Sequence, residues 1–202
     1  MMTKTFDYGE EEIEYLKKRD AALGAAIDRI GKVERAVTPD LFSALTHAIV
    51  GQLISVKAAA TIWGRLQSRF GEFSAERLAA QTAADLKQCG LSMKKAECIK
   101  EIAELIAQGG LQMEELRRLS DKEVIDRLTA IKGVGIWTAE MLLLHCLERR
   151  DVVSWGDIAI RRGMMRLYGL DTLSKQQFNA YRDNYSPYGT VASIYLWELS
   201  AP

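Results

Sequence analysis

Apolar positions along this chain recur at spacings of three and four. Examples are Ile13 and Leu16; Leu41, Leu45, Ala48 and Ile49; Leu128 and Ile131; and Met141, Leu142 and Leu144. Such a period brings the side chains of successive helical turns onto one face. Few runs alternate as half-buried strands do, and the only prolines are Pro39, Pro187 and Pro202. The pattern predicts an all-α chain of about ten helices joined by short loops.

Helix starts are legible. Thr38-Pro39-Asp40 offers a cap residue followed by proline at the first helical position, where the missing N–H costs nothing. Ser120 and Glu123 form a capping box, and Ser186-Pro187 is expected to start the last helix. Stops fall at Gly71, Gly90, the pair Gly109-Gly110 and Gly169. The expected organisation is a single domain over residues 1–202 with two helical lobes and a cleft between them. One lobe covers about 40–110 and is flanked by a lobe from the N- and C-terminal parts, with a hairpin at about 120–147.

That hairpin is the stretch from Leu128 to Glu140, where Gly133 and Gly135 interrupt what would otherwise be a continuous apolar helix. Each interior glycine lowers helix stability by about 1 kcal/mol relative to alanine. The gain from breaking the helix is access: without a Cβ, a phosphate can approach the amides that open the second helix, whose dipole favours an anion. Lys132 adds positive charge, and carbonyls left over from the first helix can take a monovalent cation. Taken alone, a G-x-G is more often a plain corner between packed helices.

Charge adds little to this picture. The 27 basic and 27 acidic side chains cancel, which removes the simplest argument for nucleic-acid binding. From Arg117 to Arg166 there are ten Lys/Arg against seven Asp/Glu, a weak asymmetry that a solvated helix surface explains nearly as well. Cys89, Cys98 and Cys146 form no C-x-x-C spacing and read as buried free thiols. No apolar run approaches the roughly 20 residues that span a bilayer, and the acidic N-terminus does not read as a secretory signal. The expectation is a cytoplasmic protein with no membrane partner.

Asp157 follows Ser154-Trp155-Gly156 and precedes an amphipathic run. An Asp there is most often only a cap, yet a capping carboxylate beside a substrate is also held rigid and charged by helix amides. Such a group can stabilise an oxocarbenium-like sugar or orient an attacking water.

The order of I-K-G-V-G-I-W-T-A, an apolar helix, then D-V-V-S-W-G-D-I-A-I resembles the helix–hairpin–helix DNA glycosylase superfamily. Within it, the chain is similar to the alkylbase branch, DNA-3-methyladenine glycosylase II. The likeness extends upstream to H-A-I-V-G-Q-L-I-S-V-K and downstream to S-P-Y-G-T-V-A-S-I-Y-L-W, covering residues from about 40 to 199.

The resemblance implies a monofunctional glycosylase of base excision repair with a helix–hairpin–helix motif and a DNA-binding cleft, acting as a monomer in association with the nucleoid. Such an enzyme flips alkylated purines such as 3-methyladenine or 7-methylguanine out of damaged duplex DNA and hydrolyses the N-glycosidic bond. It makes Asp157 the catalytic carboxylate and Gly133, Val134 and Gly135 the phosphate-binding turn beside Lys132. The carbonyls of Thr129, Ile131 and Val134 become ligands for sodium or potassium, with no cofactor for catalysis. Trp137 stands where bifunctional relatives carry a Schiff-base lysine. Leu53 is the expected wedge for the gap left by the flipped nucleotide, with Gln52 reaching the opposite base edge. Trp137, Trp197, Met141 and Tyr195 are the expected base pocket, in which stacking and cation–π attraction suit a cationic lesion.

Two departures bear on base preference: Gly189 replaces an arginine of some relatives, and Met141 an aromatic. Helices are expected by residue 10, without the N-terminal β-rich domain of larger bacterial members, which implies a compact form. The competing readings are a non-catalytic helix–hairpin–helix protein that binds DNA backbone or damaged sites, and a bifunctional lyase using Lys132.

Overall fold

The structure, a computed structural model, describes residues 4–71 and 73–201. Among these residues there are twelve α-helices, one 3₁₀ helix and no strand. A single antiparallel bridge joins Thr5 and Ala36. The chain forms two compact units: Met1–Val37 with Glu148–Pro202, and the intervening Thr38–Leu147.

The first unit opens with α1 (Glu10–Arg19) and α2 (Ala21–Ile30). Glu10, Glu11 and Glu12 lie in the first turn of α1 and Lys17, Lys18 and Arg19 in its last, each sign complementing the helix dipole. Asp20 then caps α2 by accepting from the Leu23 amide at 2.9 Å.

The central unit holds α3 (Leu41–Gly51), α4 (Val56–Phe70), α5 (Ala75–Ala79), α6 (Ala83–Lys87), α7 (Met93–Ala107), the 3₁₀ helix Met113–Arg118, α8 (Asp121–Thr129) and α9 (Ile136–His145). It runs past residue 110 because α9 packs against both α8 and α3. Residues Leu142, Leu143 and Leu144 of α9 and Leu45, Ile49 and Val50 of α3 are all buried. The start of α3 differs from the sequence reading. Its cap is Asp40, whose carboxylate accepts from the Ser43 amide at 2.7 Å. Pro39 stays outside the helix with its carbonyl taken by Arg117 at 2.8 Å, and the Thr38 amide donates to the His145 carbonyl at 2.7 Å.

The chain returns to the first unit through α10 (Ile158–Tyr168), α11 (Lys175–Tyr185) and α12 (Gly189–Ser200). Nine of the twelve α12 residues are buried, which makes it the centre of this unit. It begins at Gly189 and not at Pro187. Asp151 fixes that start by accepting from the Gly189 amide at 3.1 Å, while the Thr190 hydroxyl donates to the Arg149 carbonyl at 2.6 Å. A Cβ on Gly189 would lie 2.5 Å from the Asp151 carboxylate and 2.7 Å from a Val153 methyl. The departure from arginine at this position therefore follows from packing.

α10 approaches α12 backbone to backbone. At Gly163 an added Cβ would fall 1.9 Å from the Leu196 carbonyl oxygen. Gly163→Ala should therefore force the two helices apart and lower stability by about 3 kcal/mol or more, as overpacking does. Gly64, on the open face of α4 with nothing within 4 Å of an added Cβ, provides the opposite case. Gly64→Ala should raise stability by about 0.5–1 kcal/mol through helix propensity and unfolded-state entropy. Urea unfolding of the two variants beside the parent checks both signs.

Candidate active site and nucleic-acid interface

The hairpin lies in the central unit between the end of α8 at Thr129 and the start of α9 at Ile136. Two short bonds shape the turn: the Ile131 amide donates to the Leu128 carbonyl and the Val134 amide to the Ile131 carbonyl, each at 3.1 Å. Val134 is buried and anchors the loop, whereas Lys132 is exposed. The two glycines have separate reasons. Gly133 has φ +91° and an added Cβ would touch the Cys98 Sγ at 3.0 Å, so the fold itself requires it. Gly135 has an extended backbone, and nothing lies within 4 Å of its would-be Cβ. Nothing inside the protein asks for glycine there. As the N-cap of α9, Gly135 also offers no side chain to the amides of the first turn.

The loop from α3 to α4 is tied to this turn. Gln52 Nε2 donates to the Gly133 carbonyl at 3.1 Å and to the Thr138 hydroxyl at 2.9 Å. Lys95 of α7 closes the loop from the other side, its Nζ donating to the carbonyls of Val50 at 2.9 Å and Gln52 at 2.6 Å. Burial pulls the Lys95 ammonium below the usual lysine range. The carboxamide nitrogen of Gln52 is thus spent on holding the hairpin, and not on an outward reach for a base edge.

Between these anchors stands Leu53, 98% exposed and in the left-handed region at φ 57°. It is no core leucine. Leaving it in water forgoes the ~1.5–3 kcal/mol that burial of a leucine would give, and a left-handed non-glycine residue costs about 1 kcal/mol more. Val56, three residues on, is 88% exposed. Trp137 is half-buried in the first turn of α9, its Cη2 3.8 Å from where a Cβ on Gly51 would sit. Met141, one turn further along α9, is buried.

Asp157 belongs to the other unit. It is 7% exposed and caps α10, with Oδ1 accepting from the amides of Ala159 and Ile160, both at 2.9 Å. Trp197 of α12 supplies a third donor to the same oxygen, its Nε1 lying 3.3 Å away. Three donors on one oxygen fix the plane of the carboxylate. The other face-forming candidate from α12 fails: Tyr195 is fully buried, its hydroxyl donating to the Gly31 carbonyl at 3.1 Å and its ring edge-on to Tyr8. Two residues along a helix is about 200° of rotation, so Tyr195 and Trp197 cannot face the same side. Tyr195 is a core residue and not a pocket wall.

Comparisons with known proteins bear on the hairpin and on Asp157. A family model described as HhH-GPD superfamily base excision DNA repair protein matches residues 46–187, which include the Leu53 loop, the hairpin and Asp157. The chain belongs to the HhH-GPD superfamily. Among HhH-GPD relatives, it is 36% identical over 164 residues to DNA-3-methyladenine glycosylase 1 of Schizosaccharomyces pombe, covering 79% of this chain and 72% of the relative. The solved structure of an S. pombe 3-methyladenine DNA glycosylase in complex with abasic DNA aligns with a TM-score of 0.88 at 31% identity. It covers 94% of this chain and 96% of that one. A DNA-3-methyladenine glycosidase from Bacillus halodurans aligns with a TM-score of 0.82 at 35% identity, covering 98% and 93%.

Sequence reasoning passed over three residues of this HhH-GPD chain. Lys95 and Thr138 hold the loop and turn together, and the Arg35 guanidinium lies 4.8 Å over the Trp197 ring. None carries a local signal. Replacing Lys95 by methionine should leave the Val50 and Gln52 carbonyls without their donor and cost about 1–3 kcal/mol. Amide exchange should then quicken at residues 52–55 and at Gly133 while α8 stays protected, as hydrogen-exchange mass spectrometry would report.

Proposed function

We propose that this protein is a monofunctional DNA glycosylase that removes alkylated purines of the 3-methyladenine and 7-methylguanine type from duplex DNA. The observation that carries the reading is Asp157, a nearly buried carboxylate with three donors on one oxygen, in a chain of a base-excision repair superfamily. A protein that only grips the DNA backbone needs an open amide turn and an Asp cap for α10, but has no use for a tryptophan N–H on the same carboxylate oxygen.

In this reading the central unit binds and the other unit reacts. The amides around Gly135 and the α9 dipole take a phosphate, with Lys132 beside them. The carbonyls of Thr129, Ile131 and Val134 would hold a monovalent cation. Ile131 O already accepts from the Val134 amide, but a carbonyl has a second lone pair to offer. Bound there, the cation would add its charge to that of the amides in drawing the phosphate. Leu53 fills the stack vacated by the extruded nucleotide, offsetting part of a cost of a few kcal/mol.

Asp157 then acts on the sugar. As the C1′–N bond breaks, its electron pair leaves with the base, which neutralises a cationic alkylpurine, and the carboxylate stabilises the positive charge left on the sugar. Water adds at C1′ and gives up a proton, leaving free base and an abasic site. Trp137 has no amine, so no Schiff base forms at that position and the backbone stays intact. Trp137 supplies a flat surface on which the flipped base can stack. We place the enzyme in the cytoplasm with the nucleoid DNA, acting as a monomer.

The test is release of free bases from methylated duplex DNA by the parent and Asp157→Asn in parallel. Asparagine keeps an acceptor for the α10 amides and removes the charge, so excision should fall by about a hundredfold or more with duplex affinity within about threefold. Near-normal turnover by the variant would overturn the mechanism. Strand cleavage with borohydride trapping would point instead to a lyase using Lys132, and salt-sensitive binding without base release to a non-catalytic binder. A second variant isolates the hairpin. Gly135→Val has room inside the protein but fills the approach, so affinity for every duplex should fall at unchanged melting temperature. Gly133 would be a poor choice because its replacement meets Cys98.

A further inference from the structure

Arg35 sits on an extended segment between α2 and α3 that the N-terminus pins in place. The Phe6 amide donates to the Arg35 carbonyl at 2.8 Å, the Val37 amide to the Lys4 carbonyl at 2.9 Å, and Thr5 bridges Ala36 between them. This backbone frame fixes where the side chain starts. The guanidinium lies 4.8 Å over the Trp197 ring and 3.3 Å from Glu198 Oε1, the next residue of α12. The Arg35 side chain is only 28% exposed, and its Nε is buried without a hydrogen-bond partner. A half-buried guanidinium with its Nε unsatisfied is a costly way to cover a tryptophan when leucine or methionine would do it without the desolvation. The charge and the planar shape therefore have some other use.

Trp197 connects that charge to the chemistry. Its indole N–H is the third donor to Asp157 Oδ1, at 3.3 Å, and unlike the two amides of α10 it comes from a side chain that can rotate. We propose that Arg35 is a positioning residue for Asp157 that acts through Trp197. It clamps one indole face and, through Glu198, the last turn of α12, so that the N–H stays aimed at the carboxylate. A guanidinium on the ring face also draws electron density from the indole and makes its N–H a stronger donor. The proposal rests on the reading that Asp157 is catalytic.

The test uses the full chain with Arg35→Met, which keeps the apolar stem, Arg35→Gln as a second variant should methionine compromise folding, and Trp197→Phe, which keeps a ring without the N–H. In nitrogen-edited spectra, the Trp197 indole resonance, assigned by its loss in Trp197→Phe, should shift and exchange faster with solvent in Arg35→Met. Single-turnover excision should fall about tenfold at saturating enzyme, with duplex affinity within about twofold. In the Trp197→Phe background the Arg35 substitution should then have less than about a twofold further effect, because the route it uses is gone. An unmoved indole resonance, or rate losses that multiply in the double variant, would overturn the proposal. If the parent is active and Asp157→Asn inactive while Arg35→Met excises normally, the positioning role falls and the glycosylase reading stands. If the parent excises nothing, both fall.

Discussion

The close approach of α10 and α12 at Gly163 is the constraint on which the placement of Asp157 depends. With no Cβ at that position, the Leu196 carbonyl can rest against the α10 backbone. Trp197 is the next residue, so the contact that sets the helix spacing also sets the indole nitrogen 3.3 Å from Asp157. Asp157 is itself the first-turn cap of the same helix. Its carboxylate is positioned by the start of α10, and α10 is positioned by its docking on α12. A chain that separates these helices loses the donor to the carboxylate before it loses the carboxylate.

The central unit solves a different problem, which is to keep backbone groups pointing outward in a stable fold. Exposed amides at a helix start are cheap, since water can serve them. Shaping a turn so that they converge is harder. Here Gly133 meets Cys98, Gln52 bridges the Gly133 carbonyl and Thr138, and Lys95 holds the carbonyls that end α3. The same bonds brace Leu53, whose exposure and left-handed backbone would otherwise relax into a more buried arrangement. Loop and hairpin are braced as one piece because they share Gln52.

Legibility in the sequence followed the range of the interaction. Ser120 with Glu123, Asp157 before α10 and the glycine stops were readable because a cap or a chain reversal is decided within three or four residues. The errors are local choices settled from afar. Thr38-Pro39 looked like a cap, but Asp40 holds the better acceptor and Arg117 takes the Pro39 carbonyl. Ser186-Pro187 looked like a helix start, but Asp151, far back in the chain, anchors it at Gly189. Tyr195 and Trp197 both looked like pocket aromatics, and a helical wheel alone separates them. Lys95 and Arg35 were invisible because a long side chain crossing to a carbonyl or a ring leaves no trace in spacing.

Zero net charge is compatible with a nucleic-acid partner once these features are combined. Much of the formal charge in the central unit is already spent internally, in pairs such as Arg69 with Asp85, Lys100 with Glu104, Arg127 with Glu115 and Arg117 with Glu114. In the proposed reading, recognition combines helix-start amides around Gly135, the exposed Lys132, and an apolar tip at Leu53 and Val56. Backbone amides carry partial charge that no composition count includes, and they favour a phosphate without repelling one another as a lysine cluster does. The apolar tip has value only where a hydrophobic gap exists to receive it, which intact stacked DNA does not offer and a flipped-out nucleotide does. A surface of this kind gives up strong electrostatic attraction to all DNA in exchange for contacts that become favourable where the stack can open. That bias suits a protein whose substrate is a rare weak point in a long, uniformly charged polymer.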